Sequence, residues 1–564
     1  MKHFFAMAVF FQALVFGAAH AAPPVQIAQA GSVNPAATPS APTPPTPPTS
    51  VSVSPKPSDR FADIPGITLD TPAFAPNKKD FTTEAELQSF IARRVATSPT
   101  VSWRSLGKTQ GGRELHLLVL TQDGRGDPQS VAANRKPTVW IIAQQHGDEP
   151  AGAEAALELL RRLTSTELRT VLDKINVVVM PRANPDGAAG FKRTTARGDM
   201  NRDHLLCAYI ESQAMHRALD AYPPTVVVDA HEFTAAGRWV ERYGGAQASD
   251  VLVQTASHPG VAEGLRKLGK DLIEPALNAT WAQYGLKSHV YHTLNIAGNT
   301  TFVQMGGNFA GIGRNALGLL GAVSYLIESR GVGIGRDHYP RRVATHVLSM
   351  MSILRTAATH ADALRAASRE SKRAAVAGTD WLVDFEAQRE PRVLPLFDPV
   401  TGEDKAVTVD FQNSLLITPT LIRPVPLGYM LPAAFVGTPL VAKLQDLGLA
   451  VHKTIAPIEL EIEHYQITQF KQEPGEFGAP IDKLSTQTRR AKKLLETGSI
   501  WIPITAGQQP LWRMALVVLE PDGVGSFASY RLMSGEPVVG QELPLLRVVG
   551  GPNVLIAPVL PDLH

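Results

Sequence analysis

TVWIIAQQHGDE, residues 138–149, decides the predicted fold and carries the first candidate site. Its first half is a short apolar run rich in β-branched side chains, which is typical of a buried strand. His146 and Glu149 lie in the turn that follows, and Pro150 then opens an Ala- and Leu-rich run with the pattern of a helix. Side chains in such a turn face the crevice where open α/β sheets bind ligands. An imidazole and a carboxylate three residues apart can share one zinc ion, although this spacing also arises by chance.

Composition limits the classes of function. The 564 residues include 54 Lys and Arg against 52 Asp and Glu, and this near-neutral balance indicates no nucleic-acid partner. The length exceeds what one hydrophobic core organises, which predicts two globular domains. Cys207 is the only cysteine in the sequence, so we expect no intramolecular disulfide and no Cys-based zinc site. The pattern favours a small buried side chain at this position.

The first residues have the pattern of a signal peptide. Lys2 precedes the apolar run 4–19, and small residues stand at the cleavage position that we expect after Ala21. The run is too short for a comfortable membrane span, and we find no later membrane-spanning stretch. Residues 22–58 are rich in Pro, Ser and Thr and predict a disordered linker. The sequence therefore predicts export to the periplasm or the medium.

Strands alternate with helices over residues 59–370, which predicts an α/β domain. Beyond the opening strand, predicted strands cover 175–181, 225–233 and 322–331, and predicted helices cover 82–96, 259–277 and 341–367. This alternation favours a mixed, mostly parallel sheet with helices on both faces. Residues 376–564 predict a smaller β-rich domain of unknown role, with strands at 459–470 and 511–520 and a short helix at 439–449. We find no cluster of metal ligands or nucleophiles in that second part.

Several polar side chains follow or end predicted strands of the first domain. His231 offers a second imidazole, Glu328 a further carboxylate, and Asn201 with Arg202 an anion-binding pair. A zinc site with two His, one Glu and an open position activates water, and a nearby carboxylate can take its proton. These residues supply the parts needed to hydrolyse an amide beside a free carboxylate.

Six motifs occur in a fixed order over roughly residues 80–350. They are SLGKTQGGREL (105–115), HGDE (146–149), NPDG (184–187), GDMNRD (198–203), DAHEF (229–233) and LIESRG (326–331). In sequence and order they resemble the zinc carboxypeptidase family (carboxypeptidase A-like M14 peptidases), as an exported bacterial member. The resemblance implies a carboxypeptidase-like fold and one Zn²⁺ ion.

The resemblance also implies a role for each polar motif residue. The implied zinc ligands are His146, Glu149 and His231. Glu328 would be the general base and then the general acid, and Asn201 with Arg202 would bind the terminal carboxylate of the substrate. Asp199 would orient His146, and Arg193 would polarise the scissile carbonyl and hold the oxyanion, although Lys192 and Arg197 lie in the same loop.

Some positions depart from the family pattern. Asp148 stands where pancreatic-type members often carry Arg, and no residue matches the mobile capping tyrosine, for which Tyr284 and Tyr291 are candidates. HGDEP also resembles the deacylases of the aspartoacylase and succinylglutamate desuccinylase type. Arg314 either selects an acidic substrate side chain or is a structural arginine.

Other polar residues have plain structural interpretations, and NPDG (184–187) predicts a tight turn, which each of its four residue types suits. His289 and His292 form an HxxH pair that we expect at the pocket rim rather than at a second metal. Glu232 should not be a ligand, because adjacent strand residues face opposite sides, although it could shape the pocket. Glu328 could instead pair with Arg330, and His204 could contact substrate.

These observations predict an exported zinc metallocarboxypeptidase that acts on peptides or peptide-like substrates with a free carboxylate. The alternatives are a zinc amidase or deacylase of small N-acyl amino acids or peptidoglycan stem peptides, and a non-catalytic envelope binding protein on the same fold. The sequence indicates neither the oligomeric state nor the side-chain preference.

Overall fold

A computed structural model describes residues 59–297, 300–473, 480–505 and 509–559, and all of them belong to one compact unit. The predicted signal peptide and linker lie outside the described residues. Within the described ranges, no helix is long and apolar enough to cross a membrane.

The described strands are numbered in chain order. They are β1 (Val101–Lys108), β2 (Glu114–Leu120), β3 (Thr138–Ala143), β4 (Asn176–Met180), β5 (Val226–Thr234), β6 (Ala246–Gln247), β7 (Val251–Thr255), β8 (Ser288–Val290), β9 (His292–Ala297), β10 (Thr300–Met305), β11 (Val323–Val332), β12 (Asp380–Phe397), β13 (Asp404–Pro424), β14 (Gly428–Leu431), β15 (His452–Thr454), β16 (Ile458–Glu473), β17 (Ile481–Leu495), β18 (Ile500–Pro503), β19 (Glu542–Gly550) and β20 (Ile556–Pro558).

The described α-helices are α1 (Glu84–Thr97), α2 (Pro128–Ala133), α3 (Pro150–Leu163), α4 (Pro185–Gly190), α5 (Ile210–Ala221), α6 (Arg238–Tyr243), α7 (Glu263–Leu268), α8 (Glu274–Gln283), α9 (Gly313–Leu319), α10 (Tyr339–Thr359), α11 (Ala361–Ser371), α12 (Pro439–Asp446) and α13 (Trp512–Leu519).

The first sheet has the strand order β1-β2-β4-β3-β5-β11-β7-β8. Its central strands β4, β3, β5 and β11 are parallel to one another, while β1, β2 and β7 join through antiparallel pairings. Val139 and Ile141 of β3 pack on the face that carries α3 and α10, and Trp140 and Ile142 pack on the opposite face with α5 and α9. The predicted mixed sheet with helices on both faces is confirmed.

The parallel register brings the candidate residues to one edge of this sheet. Ala143, the last residue of β3, lies opposite Ala230 of β5, and His231 of β5 lies opposite Glu328 of β11. The loop that follows β3 therefore lies beside His231 and Glu328.

Two further sheets complete the molecule. The second has the order β6-β12-β13-β10-β9, in which the long antiparallel ribbon β12–β13 is joined to β10 by a short parallel pairing. The third has the order β17-β16-β19-β14-β18-β15-β20 and is antiparallel throughout. The predicted β-rich character of the C-terminal part is confirmed, while the predicted domain limits stay predictions.

Three local predictions differ from the structure. Residues 511–520, predicted as a strand, form helix α13, in which every residue from Met514 to Leu519 is buried. An apolar run that is buried on all sides has no periodicity to separate helix from strand. The helix predicted over 341–367 divides at His360 into α10 and α11. The NPDG turn instead begins helix α4, where the Asn184 side chain accepts a hydrogen bond from the Gly187 backbone.

Candidate metal centre

Three buried side chains converge where β3 and β5 end. The loop between β3 and α3 supplies His146 and Glu149, and β5 supplies His231. Nδ1 of His146 lies 2.7 Å from Oε1 of Glu149, and Nδ1 of His231 lies 2.9 Å from Oε2 of Glu149. The two Nδ1 atoms are 3.0 Å apart. Among the described residues, this is the one group of three side chains with ligand atoms close enough to hold a metal ion together.

The outer nitrogen of each imidazole faces a second carboxylate. Nε2 of His146 lies 3.1 Å from Oδ1 of Asp199, and Nε2 of His231 lies 2.9 Å from Oδ1 of Asp229. An ionised carboxylate only accepts hydrogen bonds, so each Nε2 carries a hydrogen, and each ring, once neutral as metal binding requires, presents its Nδ1 lone pair inward. Two lone pairs and a carboxylate then face one another, an arrangement that a cation stabilises. The donor set of two imidazoles and one carboxylate fits Zn²⁺.

The charges within the cluster depend strongly on one another. Burial disfavours the Glu149 carboxylate, but the two imidazoles hold the pKa of Glu149 well below its ordinary value. Burial also disfavours a charged His231, but Asp229 and Glu149 raise the pKa of that imidazole well above its ordinary value. Both shifts show that the cluster favours positive charge between its carboxylates.

Hydrogen bonds extend from Asp229 into the core. Its Oδ1 accepts a hydrogen bond from Nε2 of Gln145 at 2.8 Å, and Oε1 of Gln145 lies 2.9 Å from Nε2 of His204. Nδ1 of His204 in turn lies 3.1 Å from Nε2 of His216. The expectation that His204 could contact substrate is wrong, because its ring is fully buried and both of its nitrogens bond within this chain. Burial lowers the pKa of His204 to about 4, which keeps the ring neutral.

Arg193 is the basic residue of its loop that reaches the cluster. Its Nη1 lies 3.2 Å from Oε1 of Glu149, and its Nε lies 3.2 Å from Oδ2 of Asp199. Arg197, by contrast, donates from Nη1 to the carbonyl of Ala208. Arg193 also lines a cavity, which Arg197 and Lys192 do not.

The cluster forms part of the wall of a cavity of about 860 Å³. Candidate residues that line this cavity are His146, Glu149, Arg193, Asn201, Arg202, Tyr291, Arg314 and Glu328. Burial, helped by the charge of Glu149, raises the pKa of Glu328 to about 8. A carboxyl group with this pKa can both accept and release a proton near neutral pH.

Comparison with known proteins agrees with this geometry. Residues 87–217 match the family model described as zinc carboxypeptidase, Peptidase M14. This part of the chain is similar to zinc carboxypeptidases of that family. The resemblance stated from the motifs is thereby confirmed, and the protein is a metallocarboxypeptidase, a hydrolase of peptide bonds.

Proteins similar to this chain include fungal and animal carboxypeptidases. "Carboxypeptidase 2" of Trichophyton rubrum is 27% identical over 480 residues, covering 83% of this chain and 86% of the relative. "Carboxypeptidase M" of Mus musculus is 33% identical over 88 residues, 15% of this chain and 19% of the relative. Among solved structures, a metallo-carboxypeptidase from Burkholderia cenocepacia is 21% identical with a TM-score of 0.38, covering 49% of this chain and 70% of that chain.

In this chain, Asn201 is held between the cluster and α9. Its Oδ1 accepts a hydrogen bond from the Gly313 backbone at 2.7 Å, and its Nδ2 lies 3.3 Å from Nε2 of His231. Nη1 of Arg202 donates to the Asn201 carbonyl at 3.0 Å. Both side chains line the cavity, and their predicted contact with a substrate carboxylate stays a prediction.

The structure separates the two candidate tyrosines. Tyr291 lines the cavity, whereas Tyr284 packs against the hydrophobic core on the far side of the sheet from Trp140. Burial raises the pKa of Tyr291, and the charge of Glu328 adds to that rise. Tyr291 is therefore the tyrosine that can reach a bound substrate.

The structural interpretations of Glu232 and of Glu328 have different outcomes. Oε1 of Glu232 accepts hydrogen bonds from Arg342 and Ser329, so this carboxylate does not join the ligand cluster, although Glu232 lines the cavity. The alternative Glu328–Arg330 ion pair is absent from the part of the chain that the structure describes, because the Arg330 guanidinium lies over the Phe61 ring, 3.4 Å from its centre.

His292 lines the cavity as expected for a rim residue, with Nδ1 2.7 Å from the Val290 carbonyl. Sequence analysis missed Asp229 and Gln145. Asp229 could have been found, because residues two apart on a strand share a face and Asp229 stands two before His231. Gln145 lies in an irregular loop, where no periodicity indicates the direction of a side chain.

Proposed function

We propose that this chain is an exported zinc carboxypeptidase that removes single residues from the free C-terminus of peptides. The observation that carries the proposal is the convergence of both Nδ1 atoms and the Glu149 carboxylate beside a large cavity that Glu328 also lines. Export rests on the predicted signal peptide alone.

The metal would be held by His146, Glu149 and His231. When bound, Zn²⁺ supplies Lewis acidity toward a carbonyl oxygen and toward water. Asp199 and Asp229 accept hydrogen bonds from the outer nitrogens and so hold each imidazole with Nδ1 directed inward.

Glu328 is the proton acceptor and then the proton donor of the reaction. Its carboxylate takes a proton from the attacking water and then gives a proton to the amine that leaves. Burial favours this role, because it raises the pKa of Glu328 to about 8 and so gives its carboxylate a higher proton affinity than an exposed carboxylate has. The same side chain can therefore serve as base and then as acid.

Arginines bind the two negative charges of the substrate. Arg193, beside Glu149, donates to the scissile carbonyl oxygen as negative charge develops there. Arg202, with Asn201, binds the free α-carboxylate of the terminal residue.

The test is mass spectrometry of products from a pool of peptides, N-acyl amino acids and peptidoglycan stem peptides. Loss of single C-terminal residues, abolished by a chelator and restored by zinc, is the expected result. Release of acyl groups without any C-terminal trimming would instead indicate a deacylase. Absence of turnover with zinc stoichiometrically bound would indicate a binding protein.

The matched variant is Glu328→Gln, which keeps the shape of the side chain and removes its ability to accept a proton. We expect it to bind zinc as the wild type does and to lose turnover by at least about 100-fold. Wild-type turnover in this variant would contradict the role of Glu328.

A further inference from the structure

Arg314 is a buried arginine beside the candidate metal centre. It lies at the start of α9, is 2% exposed and lines the cavity beside the candidate metal centre. Its Nη2 donates to the Gly307 carbonyl at 2.5 Å, while its Nε is buried without a hydrogen bond. Within the described ranges it forms no ion pair with a carboxylate.

The other buried arginines of the described chain show how unusual this is. Six of them pair with carboxylates: Arg162, Arg182, Arg341, Arg342, Arg423 and Arg547. Arg330 has no such pair but lies over the Phe61 ring, outside the cavity. Arg314 has neither kind of partner. An arginine stays charged in proteins, so burial of a guanidinium without an ion pair costs free energy unless a ligand supplies an anionic hydrogen-bond acceptor.

The surroundings hold the guanidinium in place rather than neutralise it. A side chain on Gly306 would lie about 2.7 Å from both Nη2 of Arg314 and the Tyr291 ring, so only glycine allows this close approach. Asn315, the next residue, donates from Nδ2 to the carbonyls of Gly307 and Phe309, which fixes the loop around Arg314. A rigid guanidinium at a cavity wall is suited to a planar carboxylate, which it can bind through two hydrogen bonds.

We propose that Arg314 binds a carboxylate on the side chain of the terminal substrate residue, so that the enzyme selects peptides that end in Glu or Asp. This inference rests on the proposed carboxypeptidase function and names its substrate class. The terminal residue would then present two carboxylates, one to Asn201 and Arg202 and the other to Arg314. Gly313, which donates to Asn201, directly precedes Arg314 and keeps the two anion contacts adjacent.

The experiment compares N-blocked peptides that differ only in a terminal Glu or Gln. These side chains have the same size and differ in charge, so the ratio of their kcat/KM values isolates the carboxylate. We expect the wild type to prefer Glu about 10- to 100-fold. In Arg314→Met the ratio should fall to about 1 while the Gln peptide is still cleaved. Arg314→Lys should give an intermediate ratio, because lysine keeps the charge but not the paired donors.

The control variant is Arg238→Met, which removes an exposed arginine from the rim of the same cavity. Its Glu to Gln ratio should stay close to that of the wild type. A peptide that ends in Asp tests the reach of Arg314, with cleavage between the rates for Glu and Gln expected.

The outcomes separate this inference from the proposed function. Cleavage of Gln- or Phe-terminated peptides at least as fast as Glu-terminated ones by the wild type would overturn the role of Arg314 and leave the carboxypeptidase function intact. An equal loss of Glu and Gln cleavage in a folded, zinc-loaded Arg314→Met would also overturn it. Arg314 would then support the structure of the site or act on Glu328, and would not bind the substrate side chain. If no peptide is cleaved with zinc bound, the proposed function itself fails. The wild-type ratio decides the matter even if Arg314→Met does not fold.

Discussion

Asp229 shows how single carboxylates set the direction of the candidate metal ligands. It accepts hydrogen bonds from both His231 and Gln145, so one oxygen is held from two sides. Asp199 has the same position relative to His146 and in addition contacts Arg193. Each imidazole is therefore fixed by a carboxylate that does not itself face the cavity centre.

We expect Asp229→Asn to weaken zinc binding about 10- to 100-fold, because the amide no longer fixes the hydrogen on Nε2 of His231. Competition with a chelator measures the affinity. The control is Asp482→Asn, which removes a buried carboxylate that pairs with Arg531 far from the cluster. Equal zinc affinity in wild type and Asp229→Asn would contradict the role of Asp229.

We expect Arg193→Met to lower kcat about 100- to 1000-fold while zinc stays bound, because Arg193 is the proposed donor to the developing oxyanion. Arg197→Met is the matched control from the same loop, since Arg197 contacts only the Ala208 carbonyl by hydrogen bond from its side chain. Steady-state kinetics and metal analysis of both variants give the comparison. A similar loss of kcat in both would show that the loop, and not the Arg193 guanidinium, is what matters.

At this scale the sequence predicted the converging residues well, because each follows or ends a strand within a short motif. His146, Glu149 and His231 are placed together as expected. That Arg314 forms no ion pair among the described residues could not be predicted, because it depends on which distant carboxylates the fold leaves out of reach.

Helix α4 links local folding to the site. Asn184 caps this helix by accepting from Gly187, and its Nδ2 lies 3.2 Å from the Gln145 carbonyl and 3.3 Å from the Arg193 carbonyl. One buried amide thus joins the loop after β3, the start of α4 and the loop of Arg193. The NPDG motif has a structural task with a direct consequence for the cavity.

We expect Asn184→Ala to lower the free energy of unfolding by about 1–2 kcal/mol and also to lower kcat, because the Arg193 loop loses an anchor. Asp127→Ala is the control: Asp127 caps α2 by accepting from the Ser130 backbone, away from the cavity. It should lose stability by about 1 kcal/mol without a change in kcat. Denaturant unfolding and steady-state kinetics of both variants measure the two effects. Full activity of Asn184→Ala would contradict this expectation.

Elements with strong periodicity were predictable, and those that depend on distant pairing were not. The strands of the first sheet are short apolar runs, which the sequence marks clearly. The ribbon β12–β13 contains Pro391, Pro395 and Pro419, and its residues alternate irregularly between buried and exposed. Its length comes from antiparallel pairing between its two arms, which no local pattern records.

The whole molecule should lose stability in acid because it buries neutral histidines. Burial, with the charge of Arg266 nearby, lowers the pKa of His258 to about 3. The unfolded chain, with a histidine pKa of about 6.5, therefore binds the proton first as pH falls, and stability is lost between about pH 6.5 and pH 3. From pH 7 to pH 5 this one side chain should cost about 2 kcal/mol.

His258→Gln should flatten that part of the stability profile, because glutamine does not titrate. Unfolding by denaturant at several pH values measures the slope for both proteins. Identical slopes between pH 7 and pH 5 would contradict the assignment to His258.

A chain cut at the predicted boundary near residue 376 should be much less soluble than the longer chain. Val303 and Met305 of β10 pack in one cluster with Leu394, Val409 and Phe411 of the ribbon, and β13 pairs with β10. Removing the ribbon exposes this apolar surface and an unpaired strand edge. Comparison of soluble yield and light scattering for residues 59–375 and 59–564 tests this, and a well-behaved shorter chain would contradict it.

The pairing of β13 with β10 also determines which segments of the chain would have to be transferred together in protein engineering. Ser414 donates to the Met305 carbonyl and accepts, through its own carbonyl, a hydrogen bond from Asn308, so the ribbon supports the loop that surrounds Arg314. With the proposed role of Arg314, transfer of the family-matched residues 87–217 alone would therefore not transfer substrate choice. A graft of this peptidase onto another scaffold would have to include residues 404–424 to keep the surroundings of Arg314.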